Sequence, residues 1–202
     1  MVSVACHAAA GSIRGSAHDF TISNWANSVN GDFCVTCHDQ SVSGGESAAG
    51  AQWNHASSVA NYVTYSSFAH KDTAAQPGAL SKLCLSCHDG TVALDAFGDS
   101  MGTGQFISTT NSIGTNLSNS HPVGIYYDTG RDSTLVDPRT SIGIPGCKPS
   151  NDCSLSSMML YNGQLECPSC HDVHNKNTPP NERGLLKESA TGSKICKVCH
   201  SK

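Results

Sequence analysis

The chain has 202 residues and a formal net charge of −4, so we predict no nucleic-acid partner, which would need a basic face. It has no run of about 18 or more apolar residues, so we predict no membrane span. Hydrophobic residues make up only 38% of the chain, aromatic residues 6% and charged residues 14%, while glycine occurs 19 times. Side-chain burial alone offsets the conformational entropy of such a chain poorly, so the composition predicts another source of buried apolar surface.

The first ten residues are small and apolar and end in a run of alanines. Their end fits the cleavage site of a secretory signal, with Gly11 as the mature start, so residues 1–10 are interpreted as a signal-peptide remnant. If the segment is retained instead, Cys6 is an odd thiol and His7 a spare ligand. A one-cysteine attachment site at Cys6-His7 is the third alternative, with Ser3 where the other cysteine would stand.

Two helices are predicted farther along the chain. The first covers Leu80 to Phe97, and the second covers Glu182 to His200 with an interruption at Gly192. Residues 98–120 are mostly Gly, Ser, Thr and Asn and are predicted to form a long loop. Prolines within residues 129–161 predict further loop with short strands. The predicted fold class is therefore mostly irregular coil with short α-helices and little β-structure.

One cysteine motif recurs four times. Eight of the eleven cysteines share the spacing C-x-x-C-H. The four copies are Cys34-Val-Thr-Cys37-His38, Cys84-Leu-Ser-Cys87-His88, Cys167-Pro-Ser-Cys170-His171 and Cys196-Lys-Val-Cys199-His200. In this motif both thiols bond to the vinyl groups of a haem, and the following histidine becomes the proximal ligand of the iron. We therefore predict four haem c groups, which supply the apolar core that the side chains alone do not supply.

Other uses of C-x-x-C pairs fit less well. Zinc ribbons contain such pairs, but they need no histidine after the second cysteine, and here all four pairs have one. A thioredoxin-like redox motif would not recur four times in one chain. The pattern therefore favours haem attachment over zinc sites or disulfides.

The sixth coordination position of each iron separates an electron carrier from an enzyme. A haem with two axial histidines has no open site for substrate and only exchanges electrons. Six histidines remain beside the motif histidines, more than four irons need. They are His7, His18, His55, His70, His121 and His174. His174 follows His171 by three residues, so on a helical turn both point to one side, and His174 would serve a different haem. The supply of histidines predicts bis-histidine ligation and no enzyme.

Two further cysteines suggest where the protein works. Cys147 and Cys153 enclose a short segment that is interpreted as a small disulfide loop, which is stable in an oxidising compartment. Two free thiols are the alternative. Haem attachment of this kind also takes place outside the cytoplasmic membrane, so the protein is predicted to be exported.

The order of these motifs resembles a known family. The elements are Ser16-Ala17-His18-Asp19-Phe20, Trp53-Asn54-His55, Cys84-Leu85-Ser86-Cys87-His88-Asp89-Gly90, His121-Pro122-Val123-Gly124 and the C-x-x-C-H-x-x-H from Cys167 to His174. Together, and over most of the chain from residue 11, they look like the small tetrahaem outer-surface cytochromes of the OmcE type, which polymerise into extracellular filaments.

This resemblance implies stacked bis-histidine haems, electron export, and a histidine that ligates a haem of the next subunit. Carried over by position, the distal ligands would be His18, His55, His121 and His174. Related sequences often have a second histidine soon after the first motif. This chain lacks it in Cys37-His38-Asp39-Gln40-Ser41, and His70 is the substitute.

The expected function is electron transfer by a single tetrahaem domain over residues 11–202, as the repeating subunit of an extracellular or outer-surface filament. Its expected partners are further copies of itself, other redox proteins and extracellular electron acceptors. A soluble periplasmic electron shuttle with the same haems is the main alternative. A multihaem oxidoreductase with one open iron is the other, although the histidine surplus argues against it.

Overall fold

The computed structural model describes residues 13–26, 33–38, 47–48, 51–66, 76–145, 147, 152–174 and 183–201. The chain divides into two compact units, Met1–Pro122 and Val123–Lys202, and each contains two of the four motifs. A single tetrahaem domain over residues 11–202 stays a prediction. The proposed signal remnant at residues 1–10 lies outside the described residues.

In the first unit, regular elements are short. Two 3₁₀ helices cover Phe20–Ile22 and Phe33–Thr36, and strand β1 (Ser47–Ala48) pairs antiparallel with β2 (Ala51–Gln52). Helix α1 (Ala79–His88) is the longest helix among the described residues. It contains the whole second motif, so both of its cysteines and its histidine are placed by one regular element.

The end of α1 corrects the sequence prediction. The helix was expected to continue to Phe97, but it ends at His88. Gly90 adopts a left-handed conformation with φ of 74°, and its amide donates to the Cys87 carbonyl at 3.3 Å. Asp89 then turns the chain, because its carboxylate accepts from the amide of Thr91 at 2.7 Å. Glycine at this position ends a helix without the steric cost that other residues carry.

Buried polar groups hold the first unit together near that turn. The Asp89 carboxylate accepts hydrogen bonds from Ser58 at 2.5 Å and from the Tyr62 hydroxyl at 2.6 Å. All three side chains are buried. Leu85 of α1 is fully buried beside this region, with no exposed surface. The unit therefore combines a small apolar contribution with a satisfied hydrogen-bond network.

The second unit contains three short helices and one strand pair. Strand β3 (Ile125–Tyr126) pairs antiparallel with β4 (Gln164–Leu165). The helices are α2 (Leu155–Met159), α3 (Cys167–Cys170) and α4 (Lys194–Cys199). Its apolar core is a cluster of four buried residues, Ile142, Ile144, Leu155 and Met159.

Glycines divide the other predicted helix. Instead of one helix over residues 182–200, the chain forms 3₁₀ turns at Arg183–Leu185 and Thr191–Ser193 before α4 begins. Gly184 and Gly192 have φ of 74° and 64°, which interrupt helical geometry. Residues 98–120 form turns and extended loop, as predicted, whereas the stretch 129–161 contains the unpredicted helix α2.

The coarse fold class is confirmed: the described residues are mostly coil, with a few short helices and little strand. Among them, no helix combines the length and apolar character needed to cross a membrane.

Candidate haem-attachment sites

Each C-x-x-C-H motif is built as a helical turn. The second motif lies within α1. In the other three, the amide of the motif histidine donates to the carbonyl of the first cysteine. These bonds are 2.7 Å for His38 to Cys34, 3.1 Å for His171 to Cys167 and 2.9 Å for His200 to Cys196. Residues three and four apart on a helical turn share one side, so both cysteine side chains and the imidazole of each motif lie on the same side of its turn.

After the turn, the backbone of these same three motifs forms the same kinds of contact. The carbonyl of the second cysteine accepts a hydrogen bond from a backbone amide far along the chain. The donors are Asn54 for Cys37 at 3.0 Å, Lys187 for Cys170 at 2.8 Å and Val136 for Cys199 at 2.9 Å. The motif histidine itself forms an isolated antiparallel bridge. The bridges are His38 with Trp53, His171 with Leu186 and His200 with Leu135. These contacts fix the backbone from which each imidazole projects.

Two motif histidines have their ring orientation set by a backbone carbonyl. Nδ1 of His88 lies 3.0 Å from the carbonyl oxygen of Asn111, and Nδ1 of His171 lies 2.5 Å from that of Gly184. A carbonyl only accepts, so Nδ1 carries the hydrogen and Nε2 keeps a free lone pair. Metal-bound histidines are usually oriented by such a second hydrogen bond. Both rings are therefore prepared to bind iron through Nε2.

Several motif thiols are partly buried, whereas Cys196 is exposed. Burial raises the pKa of Cys37 and of Cys199 to about 12 and that of Cys87 to about 11, and it also raises the pKa of Cys170. Reactive cysteines of thioredoxin-like motifs have lowered pKa values, so these thiols are unlike them. The Cys87 thiol also helps to raise the pKa of Cys37, and the Cys196 thiol helps to raise the pKa of Cys170. Within each unit, the two motifs thus lie near each other.

Two buried polar atoms at the first motif indicate whether a haem fits there. Trp53 Nε1 and Thr36 Oγ1 are buried and have no hydrogen-bond partner among the described residues. A buried donor left unpaired costs about 1–3 kcal/mol. The carboxylates of a haem are acceptors for such donors, so the residues present fit the predicted group. Cys34 is disulfide-bonded in the structure, and attachment at this motif requires it as a reduced thiol.

Of the predicted distal histidines, His18 lies next to a motif histidine: its ring centre is 6.0 Å from that of His88. His55 is buried: its Nε2 lies 2.9 Å from the Ala93 carbonyl and 3.6 Å from the Cys87 thiol of the second motif, and its Nδ1 lies 3.0 Å from the Ala56 carbonyl. Burial lowers its pKa, which favours the neutral ring.

The remaining distal candidates are less enclosed. His121 and His174 are exposed, and His121 Nδ1 lies 3.2 Å from the Pro122 carbonyl. The substitute ligand His70, like Cys6 and His7, lies outside the described residues. The ligand roles of all these histidines stay predictions.

Sequence reasoning missed the carbonyls of Asn111 and Gly184. They lie 23 and 13 residues from the histidines that they orient. Any residue type offers a backbone carbonyl, so no local pattern marks these two positions.

Other cysteine chemistry in the described residues is limited. Cys147 and Cys153 form a disulfide, as predicted, with Cα atoms 5.7 Å apart. In the described part of the chain, no three His, Cys, Asp or Glu side chains gather as ligands for an ion.

Comparison with protein-family models gives no match, and comparison with curated proteins gives none either. The functional interpretation therefore depends on the residues and their geometry.

Proposed function

We propose that this chain is a multihaem c-type cytochrome that transfers electrons through four covalently attached haems. The observation that carries the proposal is the shared build of the four motifs. Each closes a helical turn that brings two cysteine side chains and an imidazole to one side. At His88 and His171 a backbone carbonyl also leaves Nε2 available to a metal.

When bound, haem supplies an iron that exchanges single electrons. The residues of the chain have three tasks around it. The cysteines hold the group covalently, the motif histidines ligate it from one face, and distal histidines close the other face against substrates. Closely spaced motifs within each unit support short steps between neighbouring haems. The stacked haem core and bis-histidine ligation belong to this proposal.

We further propose that the chain repeats in an extracellular filament that carries electrons to external acceptors and other redox proteins. Support for this form comes from the ordered motifs that resemble the tetrahaem filament cytochromes. The disulfide between Cys147 and Cys153 is compatible with export to an oxidising compartment.

The test is expression in a host that attaches c-type haem, followed by a pyridine haemochrome assay and intact-mass measurement. We expect four haems per chain in the unchanged protein and three in Cys84→Ser/Cys87→Ser. Ser154→Ala, which removes a hydroxyl far from the motif cysteines in sequence, is the control and should keep four. A purified chain that carries zinc or no haem after this expression would refute the proposal.

Negative-stain microscopy of the same sample tests the filament. Long filaments with low-spin haem would support it. Discrete monomers with the same spectrum would indicate the periplasmic shuttle, and a high-spin component in the unchanged protein would favour an oxidoreductase with an open iron.

A further inference from the structure

We infer that His18 and His88 are the two axial ligands of one iron, that of the haem attached at Cys84 and Cys87. The inference rests on the proposed function and adds the pairing of a distal histidine with its haem. It also assigns His18 to its own chain, although it precedes every haem motif in the sequence.

The separation of the two rings fits an iron between them. Their centres lie 6.0 Å apart with an interplanar angle of 64°. A metal-bound imidazole nitrogen lies about 2 Å from the metal and about 1 Å in front of its ring centre, so rings on opposite faces have centres about 6 Å apart. The ring centres of an ordinary edge-to-face aromatic pair lie at a similar distance. The contacts that position each ring therefore decide whether the two histidines can share an iron.

His88 is held on both its backbone and its ring. Its carbonyl accepts from the amide of Ile113 at 2.8 Å, and its Nδ1 lies 3.0 Å from the Asn111 carbonyl. The loop that contains Asn111 and Ile113 thus anchors the end of α1. Because Nδ1 of His88 faces this loop, Nε2 lies on the opposite side of the ring. The free nitrogen is the one that a haem tethered at Cys84 and Cys87 requires.

A compact turn positions His18. The His18 amide donates to Ser16 Oγ at 3.1 Å. The neighbouring Asp19 carboxylate accepts from the Gly15 amide at 2.8 Å and the Thr21 hydroxyl at 2.7 Å. Because this turn already holds the backbone around His18, little conformational entropy is lost when the ring binds a metal.

Apolar rings cover the other edge of His18. The Phe20 ring meets it edge-on, with centres 5.7 Å apart, and Trp25 packs on Phe20 at 4.8 Å. This aromatic group gives the imidazole a partly buried, apolar border like that of a haem edge. His55 also lies near the second motif, with Nε2 3.6 Å from the Cys87 thiol, but that nitrogen is engaged by the Ala93 carbonyl at 2.9 Å. His18 is therefore the better presented distal ligand for the second motif.

The pairing has a consequence for the filament. If His18 closes the second haem within its own chain, it is not the histidine that crosses between subunits. The crossing ligand then has to be sought among the other distal candidates, His55, His70, His121 and His174.

The first experiment uses His18→Ala in the full-length, haem-loaded protein. Haem content is measured by pyridine haemochrome assay, and spin state by visible and EPR spectroscopy. We expect four haems per chain, one of them high-spin, against four low-spin haems in the unchanged protein. Added imidazole should fill the open position and restore the low-spin spectrum, which also shows that the variant is folded. Asn24→Ala, an exposed change in the same segment, should stay fully low-spin.

The second experiment assigns the iron. In a Cys84→Ser/Cys87→Ser background with three haems, adding His18→Ala should leave all three low-spin. A high-spin haem in that background would mean that His18 serves another iron, which overturns the pairing. Four low-spin haems in His18→Ala alone would overturn it as well, while leaving the cytochrome proposal intact. An unchanged protein without haem would refute both.

Discussion

Each unit buries both apolar and polar side chains among the described residues, but the two arrange them differently. In Val123–Lys202, four apolar residues form a core in which Leu155 and Met159 are 0% and 1% exposed. In Met1–Pro122, the buried set includes Ser58, Tyr62 and Asp89 in one hydrogen-bond network. The second unit therefore has an apolar core of its own. The first depends more on satisfied polar groups and, on our proposal, on haem.

The histidines are distributed just as unevenly. Met1–Pro122 contains seven of the ten histidines and Val123–Lys202 contains three. On our proposal of bis-histidine ligation, two irons would need four axial histidines. The second unit contains three histidines and the first contains seven, so the proposed supply of ligands differs between the units.

The largest expected effect is on the apolar core of the second unit. Leu155→Ala removes a fully buried side chain and should lower the free energy of unfolding by about 2–5 kcal/mol. Chemical denaturation of the haem-loaded protein, followed by circular dichroism, measures the loss. Ile113→Ala, at a side chain that is 49% exposed, is the control and should change stability little. An equally small effect of Leu155→Ala would mean that this cluster is not what stabilises the unit.

Next in size is the polar network of the first unit. Asp89→Asn weakens the hydrogen bonds from Ser58 and Tyr62 and should cost about 2–3 kcal/mol. Asp137→Asn is the matched control, since Asp137 pairs with Arg139 on the surface and such exposed pairs contribute little. Comparable losses in both variants would remove the contrast between buried and exposed carboxylates.

The same network predicts a pH dependence. Burial raises the pKa of Asp89, but the hydrogen bonds from Ser58, Tyr62 and Thr91 lower it by more than burial raises it. The pKa therefore lies below its usual value. Its contribution to stability is therefore full above the unfolded pKa of about 3.9 and is lost as pH falls through the lower folded value. Denaturation measured from about pH 5 down to about pH 2, a range that includes the unfolded pKa, should show a shallower loss of stability in Asp89→Asn. An unchanged slope would contradict the assignment.

The smallest expected effect is at the end of α1. Gly90 has φ of 74°, and a Cβ there would lie 2.9 Å from Ser112 Oγ. Gly90→Ala should cost about 1–2 kcal/mol through backbone strain and this close contact. At Gly98, where φ is 56°, a Cβ meets no atom within 4 Å, so Gly98→Ala carries only the strain. Thermal unfolding of both variants separates the two contributions, and identical losses would show that Ser112 moves aside.

Helix boundaries show where sequence patterns were insufficient. The leucines from Leu80 onward correctly predict a helix at the second motif, but the same pattern does not mark its end at His88. That end depends on Gly90 and on the capture of Asp89 by distant Ser58 and Tyr62. A glycine inside an apolar pattern is compatible with either outcome until its surroundings are known.

What the sequence by itself determined is the spacing of the cysteines and histidines, from which we predict the chemistry of attachment. Two thiols and an imidazole within five consecutive positions are a local requirement, so four C-x-x-C-H motifs predict four haem sites without reference to the rest of the chain. Only the tertiary structure decided that His18 lies beside His88 and that the carbonyls of Asn111 and Gly184 orient the motif rings. These contacts join residues far apart in the chain through backbone groups common to every residue type. Folding therefore places them, and no spacing in the sequence records them.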